Sequence, residues 1–287
     1  MCFIVYTIEM NETPLKITDF SIPQVLIDEK DYIVVYKPPR MHSAPLLNST
    51  EKTLLKWSCE KYPEIAVLPG RRQGEGGLLH RLDYETQGLM LLARTAAGMK
   101  VLLNQQREGK LRKEYCALVK KNSASLPGFP SERPELPDNF CSGGFRAQDT
   151  PVFQIRSAFR AFGKGRKAVR PVLVDTLSGG LNERNTKKSR TIAQGGVHEE
   201  YITDILEANS KTEDTFSLCL RIVRGFRHQI RSHLAWLGLP IINDGLYGGV
   251  SLGKGFLGLR AVSLLFDDPR SGKARVFAIP QLDIPDI

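Results

Sequence analysis

Apolar spacing divides the chain into elements before any residue chemistry is considered. Residues 110–120 alternate, with Tyr115, Ala117 and Val119 on one face and Glu114, Cys116 and Leu118 on the other, which predicts a strand. Residues 200–208 and 216–223 read as a further strand pair. The unbroken apolar run after Gly88, from Leu89 to Ala93, fits either a strand buried on both faces or a short buried helix. Thr95 is placed to cap a helix over residues 96–108 that stops at Gly109. Ile230, Leu234 and Leu237 fall at i, i+4 and i+7, so a second helix is expected over residues 227–237, ended by Gly238 and Pro240. Strands and helices that alternate without a regular βαβ rhythm predict an α+β fold, with flanking helices on a mixed, largely antiparallel sheet.

Between these elements the composition changes. Residues 1–24 lack clear periodicity and are expected to form an extension, with a single domain over 25–287. Residues 122–151 are rich in Pro, Ser, Gly and Asp and read as a long surface excursion. Two basic stretches follow: Gly163 to Arg170, carrying Lys164, Arg166 and Lys167, and a Gly-rich segment over 179–196.

The 287 residues carry a net charge of +9, which favours a polyanionic partner through phosphate contacts. No apolar run approaches the roughly 20 residues that span a bilayer, and residues 1–6 lack the pattern of a secretory signal, so the cytoplasm is the expected location. Five cysteines, odd in number and without a C-x-x-C pair, argue against a disulfide framework and a zinc site. On the expected helix, His228 and His233 stand five residues apart, about 140° around the axis, and do not share a face as paired metal ligands would.

The segment with the most chemistry in it is His80-Arg81-Leu82-Asp83-Tyr84-Glu85-Thr86-Gln87-Gly88-Leu89, where a carboxylate sits in a turn that feeds an apolar element. It resembles the H-R-L-D-x-x-T-S-G-L signature of the RluA-type pseudouridine synthase family. Three other blocks occur in the family's order. Residues 31–39 resemble its strand and K-P loop, Lys113-Glu114-Tyr115-Cys116-Ala117-Leu118-Val119 its K-x-Y-x-A-L-V, and residues 224–234 its G-R-T-H-Q-I-R-x-H-L block. Asn243-Asp244-Gly245-Leu246-Tyr247-Gly248 also fits the family's G-D-x-x-Y-G, although Asp244-Gly245 alone is only a turn signal.

The resemblance implies one sheet with a central cleft and Asp83 as the nucleophile that attacks the target uridine, at carbon 6 of the base or carbon 1′ of the ribose. The uracil is then detached, turned and rejoined through carbon 5, a rearrangement that needs no cofactor or metal. Arg231 is implied to pair with Asp83, since a positive charge within ~4–6 Å favours the ionised form of a carboxylate. Its charge is expected to matter more than its fork. Tyr115 is implied to stack near the target base and to handle the proton at carbon 5. Arg81 is implied to replace the expelled nucleotide in the stack, and His228 and Gln229 to orient groups or contact phosphate.

The chain also departs from the pattern. Phe226 stands where Arg is usual, Arg227 where Thr or Pro is usual, and Gln87 where Ser is common. Lys164, Arg166 and Lys167 are expected to line the RNA path beside Arg227 and to supply backbone contacts. The expected partner is ribosomal or transfer RNA, bound by a monomer. Two rivals remain, a non-catalytic RNA-binding protein or folding chaperone and a metal-dependent nucleotide hydrolase. The first does not need Asp83, Tyr115 and Arg231 together, and the second needs a carboxylate and His cluster that the sequence lacks.

Overall fold

The computed structural model describes residues 15–46, 50–70, 73–122, 124–138, 140, 150–173 and 199–283. Among the described residues, ten strands and three α-helices follow one another as β1 (Gln24–Asp28), β2 (Tyr32–Lys37), α1 (Leu54–Lys61), β3 (Gln87–Ala93), α2 (Ala96–Arg107), β4 (Arg112–Lys120), β5 (Phe153–Phe162), β6 (Ala168–Val172), β7 (Tyr201–Ser210), β8 (Thr215–Ile222), α3 (Gln229–Trp236), β9 (Leu259–Asp267) and β10 (Ala274–Ala278). The strands form one sheet in the order β1-β2-β3-β9-β4-β8-β7-β5-β6, with β10 also paired to β9. Among the described residues only β3 and β9 pair as parallel strands, and the other strand pairings are antiparallel. The fold is α+β on a mixed, largely antiparallel sheet.

Alternation along the central strands creates two cores, one on each face. Ile33 and Val35 of β2, Met90 and Leu92 of β3, and Tyr115, Ala117 and Val119 of β4 share one face with Leu54 of α1 and Ile230 and Leu234 of α3. Tyr32, Val34, Leu89, Leu91, Cys116 and Leu118 point the other way, onto Met99 and Leu102 of α2. The run after Gly88 is therefore a strand buried on both faces, the first of the two options that its pattern left open. A side chain at residue 88 has no space: Gly88 has φ 125°, and an added Cβ would lie 2.2 Å from the Ala261 carbonyl oxygen of β9. The start of β3 is also pinned by Gln87. Its amide oxygen accepts from Tyr36 Oη at 2.7 Å and from the guanidinium of buried Arg260 at 3.2 and 3.3 Å, three bonds that a serine hydroxyl is too short to collect.

The helix after Arg107 stops as expected, Thr95 accepting from Gly98 N at 3.0 Å at its start and Gly109 adopting φ 75° beyond its end. The helix expected over 227–237 begins two residues late. His228 takes a left-handed backbone (φ 55°, ψ 21°) and serves as the N-cap, so it does not share a helix with His233. The described part of the 122–151 excursion contains no helix or strand, yet it packs against the core through Phe129 and Leu136. The 179–196 segment lies outside the described residues.

Candidate active site

Asp83 is held where an edge pairing is broken off. Residues 77–79 run antiparallel to β3, with Ala93 N donating to Gly77 O at 2.7 Å and Leu79 N to Leu91 O at 3.2 Å. At the next position the His80 ring takes over, Nε2 accepting from Leu91 N at 3.2 Å. A side chain has replaced the backbone carbonyl, so the main chain is free to turn away. Leu82 is clamped in both directions by Ser43, whose hydroxyl donates to Leu82 O at 2.8 Å and accepts from Leu82 N at 3.0 Å. A tight turn follows, in which Thr86 N donates to Asp83 O at 3.1 Å before β3 begins. The Asp83 carboxylate projects from this turn with about a quarter of its surface exposed.

Facing it is the start of α3. Arg231 is only 6% exposed although it sits on a short helix. Its Nη1 lies 3.7 Å from Asp83 Oδ2. The rest of the fork is committed elsewhere: Nε and Nη2 donate to the two carboxylate oxygens of Asp244 at 2.7 and 2.8 Å. Asp244 is itself 1% exposed. Planar bidentate pairing with Asp244 aims the third nitrogen at Asp83, which gives the fork a part beside that expected of the charge. Burial opposes the Arg231 charge, but the hydrogen bonds and charge of Asp244, then the charge of Asp83, outweigh it and hold the group firmly protonated.

His228 stands on the same side. Its Nε2 is 3.9 Å from Asp83 Oδ1 and its Nδ1 is 3.1 Å from the Tyr247 hydroxyl. That hydroxyl also accepts from Val169 N at 3.0 Å; in the tautomer where it donates its own proton to His228 Nδ1, the imidazole N–H stands on the side of Asp83. Burial lowers the His228 pKa, and Asp83 only partly offsets it, so the ring is neutral near pH 7. Tyr247 is fully buried and its phenol is pushed up to about 12 by burial.

Tyr115, from β4, lines the same cleft as Asp83, Arg231 and His228, a cavity of about 610 Å³, ample for one flipped nucleotide. Burial, followed by the charge of Asp83, raises its pKa well above the ordinary phenol value. Below the Asp83 turn, Lys37 is completely buried and donates to the carbonyls of Pro38 (2.9 Å), Met41 (2.8 Å) and Tyr84 (3.3 Å). Burial lowers its pKa to about 7 against the opposing pull of Asp83 and Glu85.

The expected RNA-binding residues fall into two groups. Arg81 lines the cleft with its side chain half exposed and paired to Glu75 at 3.2 Å. Lys164, Arg166 and Lys167 are exposed on the turn between β5 and β6, and exposed Arg227 ties that turn to the cleft by donating to Arg166 O at 2.6 Å. Arg170, from the same basic stretch, is turned inward. It lies over the rings of Phe129 and Phe162 at 4.4 and 4.6 Å and donates to Pro127 O and Val169 O, so it offers nothing to a phosphate. Gln229 is buried and structural, holding Phe226 N and Ile202 O with its amide. His233 is buried between Ser157 Oγ (2.9 Å) and Thr203 Oγ1 (2.8 Å), and burial brings its pKa down to about 3.

Of the residues singled out for chemistry, Asp83, Tyr115 and Arg231 converge, with His228 beside them. Asp244, Tyr247 and Lys37 received no role from the sequence. Asp244 and Tyr247 did carry a signal, the spacing of the G-D-x-x-Y-G block.

The family model described as RNA pseudouridylate synthase matches residues 31–236, and the chain belongs to that family. It is 24% identical over 276 residues to the ribosomal large subunit pseudouridine synthase D of Vibrio parahaemolyticus, covering 91% of this chain and 67% of that one. An uncharacterized RNA pseudouridine synthase of Chloroflexus aurantiacus is 26% identical over 252 residues, covering 85% of this chain and 61% of that protein. The chain thus spans about three-fifths to two-thirds of the length of these relatives. Among solved structures, Human RNA Pseudouridylate Synthase Domain Containing 4 shares the fold, with a TM-score of 0.55, 18% identity, and coverage of 91% of this chain and 89% of that one.

Proposed function

We propose that the chain is an RNA pseudouridine synthase in which Asp83 attacks a flipped uridine. The convergence of Asp83, Tyr115 and Arg231 in one cleft supports this reading most directly. Asp83 would form a covalent bond to carbon 6 of the base or carbon 1′ of the ribose and later depart. In the net reaction the bond between carbon 1′ and N1 breaks, a bond between carbon 1′ and carbon 5 forms, carbon 5 gives up its proton, and N1 gains one. Arg231 would hold Asp83 ionised before attack and stabilise the carboxylate again as it departs. Tyr115 stays a neutral phenol, so it would relay a proton by accepting one at oxygen while releasing its own, with its ring against the base. Arg81 would fill the space left by the expelled nucleotide.

Residues 25–287 would form the catalytic domain, acting as a monomer in the cytoplasm. Among the described residues no helix is long and apolar enough to cross a membrane. The Vibrio parahaemolyticus relative is named for the ribosomal large subunit, which makes ribosomal RNA the first substrate to test and transfer RNA the second.

The test is tritium release from RNA of cells lacking the protein, labelled with 5-tritiated uridine, with a chelator present throughout. The parent protein should release tritium, and Asp83→Asn should release none while still binding the RNA. Rapid release by Asp83→Asn removes Asp83 from the chemistry. Binding without release by the parent favours an RNA-binding protein or chaperone.

A further inference from the structure

At the mouth of the cleft lies an aromatic cluster that the reaction does not use. Phe226 lines the cleft, half-buried, two residues before His228. Its ring is stacked on Phe159 of β5, with centroids 5.1 Å apart and planes 7° apart, and Tyr201 of β7 leans on it at 5.0 Å. Phe159 therefore covers one side of the Phe226 ring and Tyr201 packs beside it, while Phe226 remains part of the cleft lining.

The platform is rigidly mounted. Phe226 N donates to Gln229 Oε1 at 2.9 Å, and the same amide reaches Ile202 O at 2.8 Å on the neighbouring strand. Behind it, His233 joins α3 to Ser157 of β5 and Thr203 of β7, its ring 4.8 Å from Phe159. A ring fixed in this way loses little freedom on meeting a ligand.

The charges around the cluster suit an RNA backbone. Lys164, Arg166 and Lys167 stand exposed on the turn between β5 and β6, and exposed Arg227 ties that turn to the cleft. The acidic side chains on this wing are already taken, Glu199 by Arg224 and Glu200 by Arg156. A positive track beside an exposed aromatic face is how single-stranded RNA is held without sequence reading.

We propose that Phe226, backed by Phe159 and Tyr201, is a stacking subsite for the base of a nucleotide flanking the target uridine. The subsite rests on the RNA-modifying reading of the cleft. It explains what the phenylalanine does where an arginine is usual: a contact to a base face replaces a contact to a phosphate.

The test compares binding of a 12-nucleotide oligouridylate with binding of a ribose–phosphate strand of equal length and charge that lacks bases. The parent should prefer the strand with bases, and Phe226→Leu, which keeps apolar packing on Phe159, should lose on the order of tenfold of that preference with the salt slope unchanged. Phe226→Trp should keep or extend it. Equal loss on both strands, or parent-like preference in Phe226→Leu, overturns the subsite. Concentration-dependent self-association of the parent that Phe226→Leu abolishes also overturns it, by showing a second copy on the platform. Tritium release is read separately, so parent-like base preference in Phe226→Leu with intact release removes the subsite alone, and absence of release in the parent removes the activity alone.

Discussion

Asp244 holds Arg231 by two short hydrogen bonds on one edge of the guanidinium, and so fixes the remaining nitrogen 3.7 Å from Asp83. A single ammonium cannot do both. Arg231→Lys should therefore lower single-turnover rates nearly as far as Arg231→Ala, by orders of magnitude, and recovery of a tenth of the parent rate by lysine counts against the fork. Asp244→Ala leaves the buried guanidinium with only Asp83 in reach and should destabilise the protein by about 3–5 kcal/mol, read from urea unfolding.

The carboxylate of Asp83 stabilises the imidazolium of His228 across 3.9 Å. Removing that charge in Asp83→Asn should move the His228 titration further below its ordinary value. NMR titration of the imidazole resonances in the two proteins checks this, and an unmoved His228 separates the two groups.

Lys37 ties stability to pH. Between about pH 7 and its ordinary value of 10.5, the unfolded chain binds a proton at this lysine that the folded chain has shed. Stability should therefore rise with pH across that window and level off below about pH 7, where the folded and unfolded chains both carry the proton. Lys37→Met should lack this slope when the two proteins are unfolded in urea at a series of pH values. Equal slopes assign the pH dependence to other groups.

The turn between β5 and β6 offers three exposed cations. Replacing Lys164, Arg166 and Lys167 by Ala should weaken binding to different RNAs alike and reduce the salt slope by roughly 0.7 per lost single-strand phosphate contact. A slope equal to that of the parent makes the turn an ordinary solvated surface.

The strands were legible because each face is covered, so a two-residue period carried through to burial: Tyr115, Ala117 and Val119 fell on one face as expected, and Cys116 and Leu118 on the other. Asp83, Tyr115 and Arg231 were legible only through motif resemblance, since locally each has a commoner structural role. Asp244 was not, because a buried ion pair made across a turn leaves the same letters as a solvent-exposed turn. Nor was the left-handed backbone of His228, whose side chain meets Tyr247 and Asp83 from parts of the chain distant in sequence. Arg170 shows the reverse: it ends a stretch of exposed cations, yet aromatic rings and carbonyls draw it inward.

The parallel seam between β3 and β9 joins Gln87 to Arg260 and Gly88 to Ala261, and it lies directly beside the turn that carries Asp83. One wall of the cleft is thus made early in synthesis, while Arg231, Asp244 and the strand that closes the seam are made last. Contacts between such distant parts of a chain form slowly, after local structure is in place. A nascent chain still lacking β9 can hold Asp83 in its turn but has neither the seam nor the buried pair that faces it. Catalytic competence should therefore appear late, in one step with completion of the sheet, and a protein truncated before residue 259 should gain no fraction of it.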